Sequence, residues 1–154
     1  QLSPRLGELY EQALTKYPDL TSCIQDDGFT GDEFNINAFV WEDFSYNQDF
    51  AVCTFWVADF LRDAQEVAAW FEAQGFHSVR TVRVSYAEIR HMGALSDGSS
   101  VSAGWLRRED EFPFGSNHIP SVASVWGQPF ALSLEIIFSN EGRPLYVSYG
   151  FIVK

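Results

Sequence analysis

Residues 17–61 hold nine carboxylates (Asp19, Asp26, Asp27, Asp32, Glu33, Glu42, Asp43, Asp49 and Asp59) and not one Lys or Arg, yet they also carry eleven aromatic side chains. A solvated acidic tail is poor in apolar residues and cannot offset the entropy lost on ordering. This segment has the ring content of a core, so it is expected to fold and to leave its carboxylates on one surface.

The asymmetry runs through the whole chain. Residues 1–75 hold fourteen acids and three bases, whereas residues 76–154 hold seven of each, so the net charge of −11 belongs to the first half. Binding along a phosphate backbone requires Lys and Arg to release counterions, so nucleic acid and anionic membrane surfaces are excluded as ordinary partners. A concentrated negative potential instead steers a basic protein into encounter. With 154 residues, 46 % of them apolar, the chain fits one globular domain, residues 1–154, burying roughly 68–70 % of its unfolded surface.

No apolar run approaches the ~20 residues of a membrane span. Two cysteines, Cys23 and Cys53, are compatible with one bridge in an oxidising compartment, and equally with buried free thiols, Cys53 lying in an apolar run. A first residue other than Met fits removal of a leader. The expectation is a periplasmic or otherwise exported protein, with the cytoplasm second.

Ser3-Pro4 reads as a helix start, followed by Leu6, Leu9, Tyr10, Ala13, Leu14 and Tyr17 at helical spacing until Pro18. Residues 34–41 and 50–58 read as an antiparallel strand pair with Ser45 to Asp49 as its turn. Asp63 and Glu66 make a capping-box pattern, Val67, Trp70 and Phe71 form an apolar stripe, and Gly75 supplies a stop, which gives a second helix. Val79–Tyr86 alternates as a strand, Gly93–Ser102 reads as a polar loop, and residues 103–121 as irregular. Phe130–Phe138 and Leu145–Val153 flank a Ser139–Gly142 turn as a hairpin. The element order predicts an α+β fold, a mostly antiparallel β-sheet with two helices packed on one face.

Motifs for chemistry are weak. Asp26 to Glu33 is rich in oxygen ligands, but the third and twelfth positions of an EF-hand loop starting at Asp26 would be Gly28 and Asn37. Glu88 and His91 have an i, i+3 metal spacing without the second copy that such sites need. His77, His91 and His118 are scattered, no nucleophile elbow occurs, and no glycine-rich phosphate loop is present, so no catalytic residue, metal or cofactor is assigned.

The expected function is therefore that of a stoichiometric inhibitor, a bacterial immunity protein that blocks a secreted toxin enzyme. Asp26, Asp27, Asp32, Glu33, Glu42, Asp43 and Asp49 would steer a basic cleft that Trp41, Phe44 and Tyr46 fill. The loop with Ser96, Asp97, Ser99 and Ser100 is a second candidate plug. An exported protein points to a cell-wall hydrolase as target, a cytoplasmic one to a nuclease. The alternative is a small ligand-binding or enzymatic domain whose aromatics line a pocket.

Overall fold

The computed structural model describes residues 4–44, 47–76, 78–106 and 129–153. In chain order these form α1 (Pro4–Lys16), two 3-10 turns, a two-residue hairpin of β1 (Phe29–Thr30) and β2 (Glu33–Phe34), and a 3-10 turn at Trp41–Asp43. Then come α2 (Asn47–Leu61), α3 (Ala64–Ala73), β3 (Ser78–Val84), α4 (Tyr86–Ile89) with a following 3-10 turn, β4 (Gly98–Leu106), β5 (Pro129–Ser139) and β6 (Pro144–Val153). The fold is α+β. Strands β3, β4, β5 and β6 pair in that order, all antiparallel.

One face of this sheet supplies Val101, Ala103, Leu132, Leu134, Ile136 and Phe138 to a buried cluster shared with Ala13 and Tyr17 of the α1 end, Phe50 and Val57 of α2, and Val67 and Phe71 of α3. Alternation along β4 and β5 sends every second side chain there, and burial of that apolar area stabilises the fold. A smaller cluster of Ile89, Ala94 and Ile137 lies apart from it. Beside that cluster the sheet presents serines, glycines and two charged side chains, discussed below.

At α3 the Asp63 cap and the Gly75 stop act as read, while the Glu66 half of the expected capping box does not form. The Asp63 carboxylate accepts from the backbone N–H groups of Gln65 (2.8 Å) and Glu66 (3.0 Å), and Gly75 closes the helix at φ +96°. Likewise the C-terminal hairpin turns at Gly142, φ +81°, where a Cβ would run into the Arg62 carbonyl and push the turn off the end of α2.

The described residues form four α-helices where two were expected, and the strand expected over Val79–Tyr86 ends at Val84, Tyr86 opening α4; two larger assignments are also corrected. Residues 50–58 are helix, not strand. Phe50, Ala51, Val52, Cys53, Thr54, Val57 and Ala58 are all buried, and a run that is apolar on nearly every side has no periodicity to separate helix from strand. Its expected partner, residues 34–41, pairs instead with the chain just before it: the Gln25 N–H donates to Ala38 O (2.7 Å) and the Val40 N–H to Cys23 O (3.0 Å). An Asn35 side chain accepting from the Asn37 N–H (2.9 Å) breaks any longer strand there. The second correction concerns Gly93–Ser102. Only residues 93–97 precede β4; Ser99 and Ser100 are strand residues, Ser100 only 6 % exposed. Pairing with strands on both sides overrides the weak strand preference of Gly and Ser. Of the stretch expected to be irregular, 103–106 complete β4 and the remainder lies outside the described residues, as does His77.

Candidate functional site

The acidic segment is tied down by chemistry that composition left open. Cys23 and Cys53 form a disulfide (S–S 2.04 Å, Cα–Cα 5.7 Å), both fully buried, joining the 3-10 turn after α1 to the middle of α2. Beyond Cys23 the chain is packed tightly at its base: a Cβ on Gly28 would lie 2.7 Å from Ala38 Cβ and 2.8 Å from Ile24 Cγ2. Glycine is what lets the two arms of this loop touch. From that base the β1–β2 hairpin projects, turning at Gly31 with φ +64°.

On the hairpin and the 3-10 turn that leads into it, Asp26, Asp27, Asp32 and Glu33 are all exposed. Between them lies an apolar stripe missed by sequence reasoning. Phe29 and Phe34, cross-strand partners, have ring centroids 6.2 Å apart, and Phe34 sits 5.5 Å from Phe60 on α2. Phe29 is 37 % and Phe60 56 % exposed. Asp59 continues the rim, paired with Arg62 at 3.3 Å. Among the described residues no group of three or more His, Cys, Asp or Glu side chains is arranged to hold a metal ion. The available signal was the cluster Phe29–Phe34 inside the densest run of acids; Phe60 could be added only once α2 was known to be a helix.

The aromatic anchors expected from sequence are elsewhere. Trp41 and Phe44 are core, 6 % and 4 % exposed. Trp41 packs against Phe39 (4.6 Å) and Phe50 (5.2 Å) and donates its Nε1–H to Gln74 Oε1 at 2.7 Å. Phe44 packs against Phe50 with the rings tilted, centroids 4.8 Å apart. These rings are the inner wall of the acidic segment, because a helix rather than a strand covers them. Asp49 is 3 % exposed in the first turn of α2, so it is not available to steer a partner. Asp43 is exposed; its carbonyl accepts from Lys16 Nζ at 2.7 Å and from the Tyr17 hydroxyl at 3.3 Å. Burial, then the Asp49 and Asp43 charges, push the Tyr17 phenol above its usual value. Glu42 shares the 3-10 turn with Asp43, and Tyr46 lies outside the described residues.

In the 93–97 loop, Gly93 adopts φ +88° and Asp97 accepts from the Tyr86 N–H at 2.8 Å. Leu95 is 92 % exposed at its tip and Ser96 half-buried. Ser99 is half-buried in β4, and Ser100 points to Glu135 rather than outward (Oγ to Oε2, 3.1 Å). Glu88 is spent locally: two hydrogen bonds from the Ser85 N–H and hydroxyl hold its carboxyl below the ordinary range.

An open apolar groove of about 430 Å³ runs between α1, α2 and β6, lined in part by Tyr10, Leu14, Phe55, Trp56 and Tyr146. Burial pushes up the phenols of Tyr10 and Tyr149, which share a hydrogen bond. Both stay protonated near neutral pH, and among the described residues no carboxylate, imidazole or cationic side chain lines the groove. The lining residues offer packing surface and hydroxyl donors.

Comparison with known protein families, with characterised proteins and with solved structures finds no match to this chain.

Proposed function

We propose that this protein is a stoichiometric inhibitor, an immunity protein of bacterial type, built as one domain with helices backing one face of its sheet. It binds a basic, secreted toxin enzyme and occludes the active site. The observation that carries the reading is the Phe29–Phe34–Phe60 stripe set among Asp26, Asp27, Asp32, Glu33 and Asp59. Exposed rings rimmed by like charge combine the two elements of a tight, fast interface: apolar anchors that exclude water and a field that accelerates encounter. These three phenylalanines replace Trp41 and Phe44 as the anchoring groups. The Cys23–Cys53 bridge, which closes the loop bearing most of these acids, supports an oxidising compartment such as the periplasm, and hence a cell-wall hydrolase over a cytoplasmic nuclease as target.

The test is inhibition of purified cationic muramidases and peptidoglycan amidases by the intact protein and by two variants. The cognate enzyme is expected to lose activity linearly to a 1:1 endpoint. Neutralising Asp26, Asp27, Asp32 and Glu33 together to Asn and Gln should slow association about tenfold or more at low salt and flatten its salt dependence. Phe60→Ser should act on dissociation instead. Inhibition indifferent to both changes would overturn the surface assignment, and full hydrolase activity at a large molar excess of the protein would overturn the inhibitor reading.

A second reading rests on the 430 Å³ apolar groove. Its volume and its largely apolar lining suit a small apolar ligand held by packing, with the Tyr10 and Tyr146 hydroxyls to orient it.

A further inference from the structure

We propose that the open face of the four-stranded sheet binds a short zwitterionic peptide, its ammonium group on Glu135 and its carboxylate near Arg80. The site is distinct from the hairpin and does not depend on the inhibitor reading.

Strand register defines its floor. Arg80, Ser102, Glu135 and Ser148 lie side by side across β3, β4, β5 and β6, and Ser78, Gly104, Ser133 and Gly150 form the next row. Cross-strand partners share a face, and these two rows line a groove of about 470 Å³ in which, among the described residues, the charged lining side chains are Arg80 and Glu135. The water-facing side of an antiparallel sheet ordinarily carries long or branched side chains that pack on one another. Val82, Ile137 and Tyr146 do so in the adjoining row, but these two rows carry serines and two interior glycines, which weaken strands and mark places where another group comes close to the backbone. A Cβ at Gly150 would sit 3.3 Å from Ser133 Oγ, within the groove.

The charged groups are arranged for a guest. The Ser100 and Ser102 hydroxyls donate to the same oxygen of Glu135, Oε2, at 3.1 and 3.5 Å. That holds the carboxylate from the neighbouring strand β4, as a preorganised site requires. Arg80 stands two strands away, roughly 9.6 Å at the usual strand spacing, with Ser102 between. The two form no ion pair with each other, and Arg62–Asp59 is the ion pair present among the described residues. A ligand of one charge would leave the other group unmatched. A tripeptide with free termini satisfies both, since three extended residues span about 10 Å, and a groove of 470 Å³ admits it.

Triglycine titrated into ¹⁵N-labelled protein is the test. Saturable shifts are expected at amides of residues 78–80, 102–104, 133–135 and 148–150, with a dissociation constant of roughly 1–10 mM, the range open to so small a ligand. N-acetyl-triglycine and triglycine amide should each bind about tenfold or more weakly, as should E135Q and R80Q proteins, because each removes one charged hydrogen-bond partner. Both substitutions are at least partly solvent-facing, and a dispersed spectrum verifies their fold, while the capped peptides test the same contacts on the unaltered protein. No shift at 50 mM triglycine (roughly five times the weakest expected constant), shifts confined to other surfaces, or equal binding of the capped peptides would each overturn the proposal.

Discussion

Removing the Cys23–Cys53 bridge is expected to cost about 3.5–4 kcal/mol. The bond closes a loop with a sequence separation of 30, and the chain-entropy relation gives that value for the constraint lost from the unfolded ensemble at 25 °C. For a chain of this length each kcal/mol moves the midpoint by roughly 2–4 °C, so melting should fall by about 10 °C. Two measurements separate the bond from its packing. Wild-type protein refolded in a strong reductant keeps both sulfurs and loses only the cross-link, whereas Cys23→Ala/Cys53→Ala also empties space at two fully buried positions and should be less stable still. In urea the reduced chain should unfold at lower denaturant with a steeper slope, because an unconstrained unfolded state exposes more surface. Amide exchange should quicken first between residues 23 and 40, where the backbone bonds of Val40 and Gln25 hold the acidic loop to its base. Equal urea midpoints for oxidised and reduced protein would refute the reasoning, since they would mean the loop is no freer unfolded without the bond than with it.

Trp41→Ala should destabilise the protein by about 3–5 kcal/mol, the cost of emptying a packed aromatic site, read by chemical denaturation; a surface ring would cost well under 1 kcal/mol, and that result would return Trp41 to the exterior. Acidification offers a further check at Asp19. Its carboxylate accepts from the Thr21 hydroxyl at 2.6 Å and the Ser22 N–H at 3.1 Å, and these bonds hold its pKa below the ordinary value. The stability it contributes is therefore present above the ordinary carboxylate pKa and lost as the pH falls through the lowered one. Asp19→Asn should remove that part of the acid sensitivity in melting curves recorded from pH 7 to pH 2.

Much of the framework was legible locally. Asp63 and Gly75 mark both ends of α3 because a cap and a left-handed stop are satisfied by neighbours in sequence. The C-terminal hairpin was legible for a similar reason, its alternation meeting a Ser-Asn-Glu-Gly turn. The exposed acids Asp26, Asp27, Asp32 and Glu33 follow from the scarcity of basic partners in that half of the chain. Residues 50–58 were not legible. Their β-branched and aromatic side chains favour a strand in isolation, and only burial between α1, α3 and the sheet makes a helix the better use of an all-apolar run.

Composition and spacing by themselves determined an acidic first half, an α+β class, the placement of α3 and the final hairpin. Those features depend on charge sums and on contacts a few residues apart. The tertiary structure alone decided which rings face water. Trp41 and Phe44 are sealed while Phe29 and Phe60 are exposed, although all four have similar neighbours in sequence, because burial is set by which layer lies on top. It alone also joined Cys23 to Cys53 and aligned Arg80, Ser102 and Glu135 across three strands. Such groupings are fixed by strand register and helix packing over long separations, which no local pattern encodes.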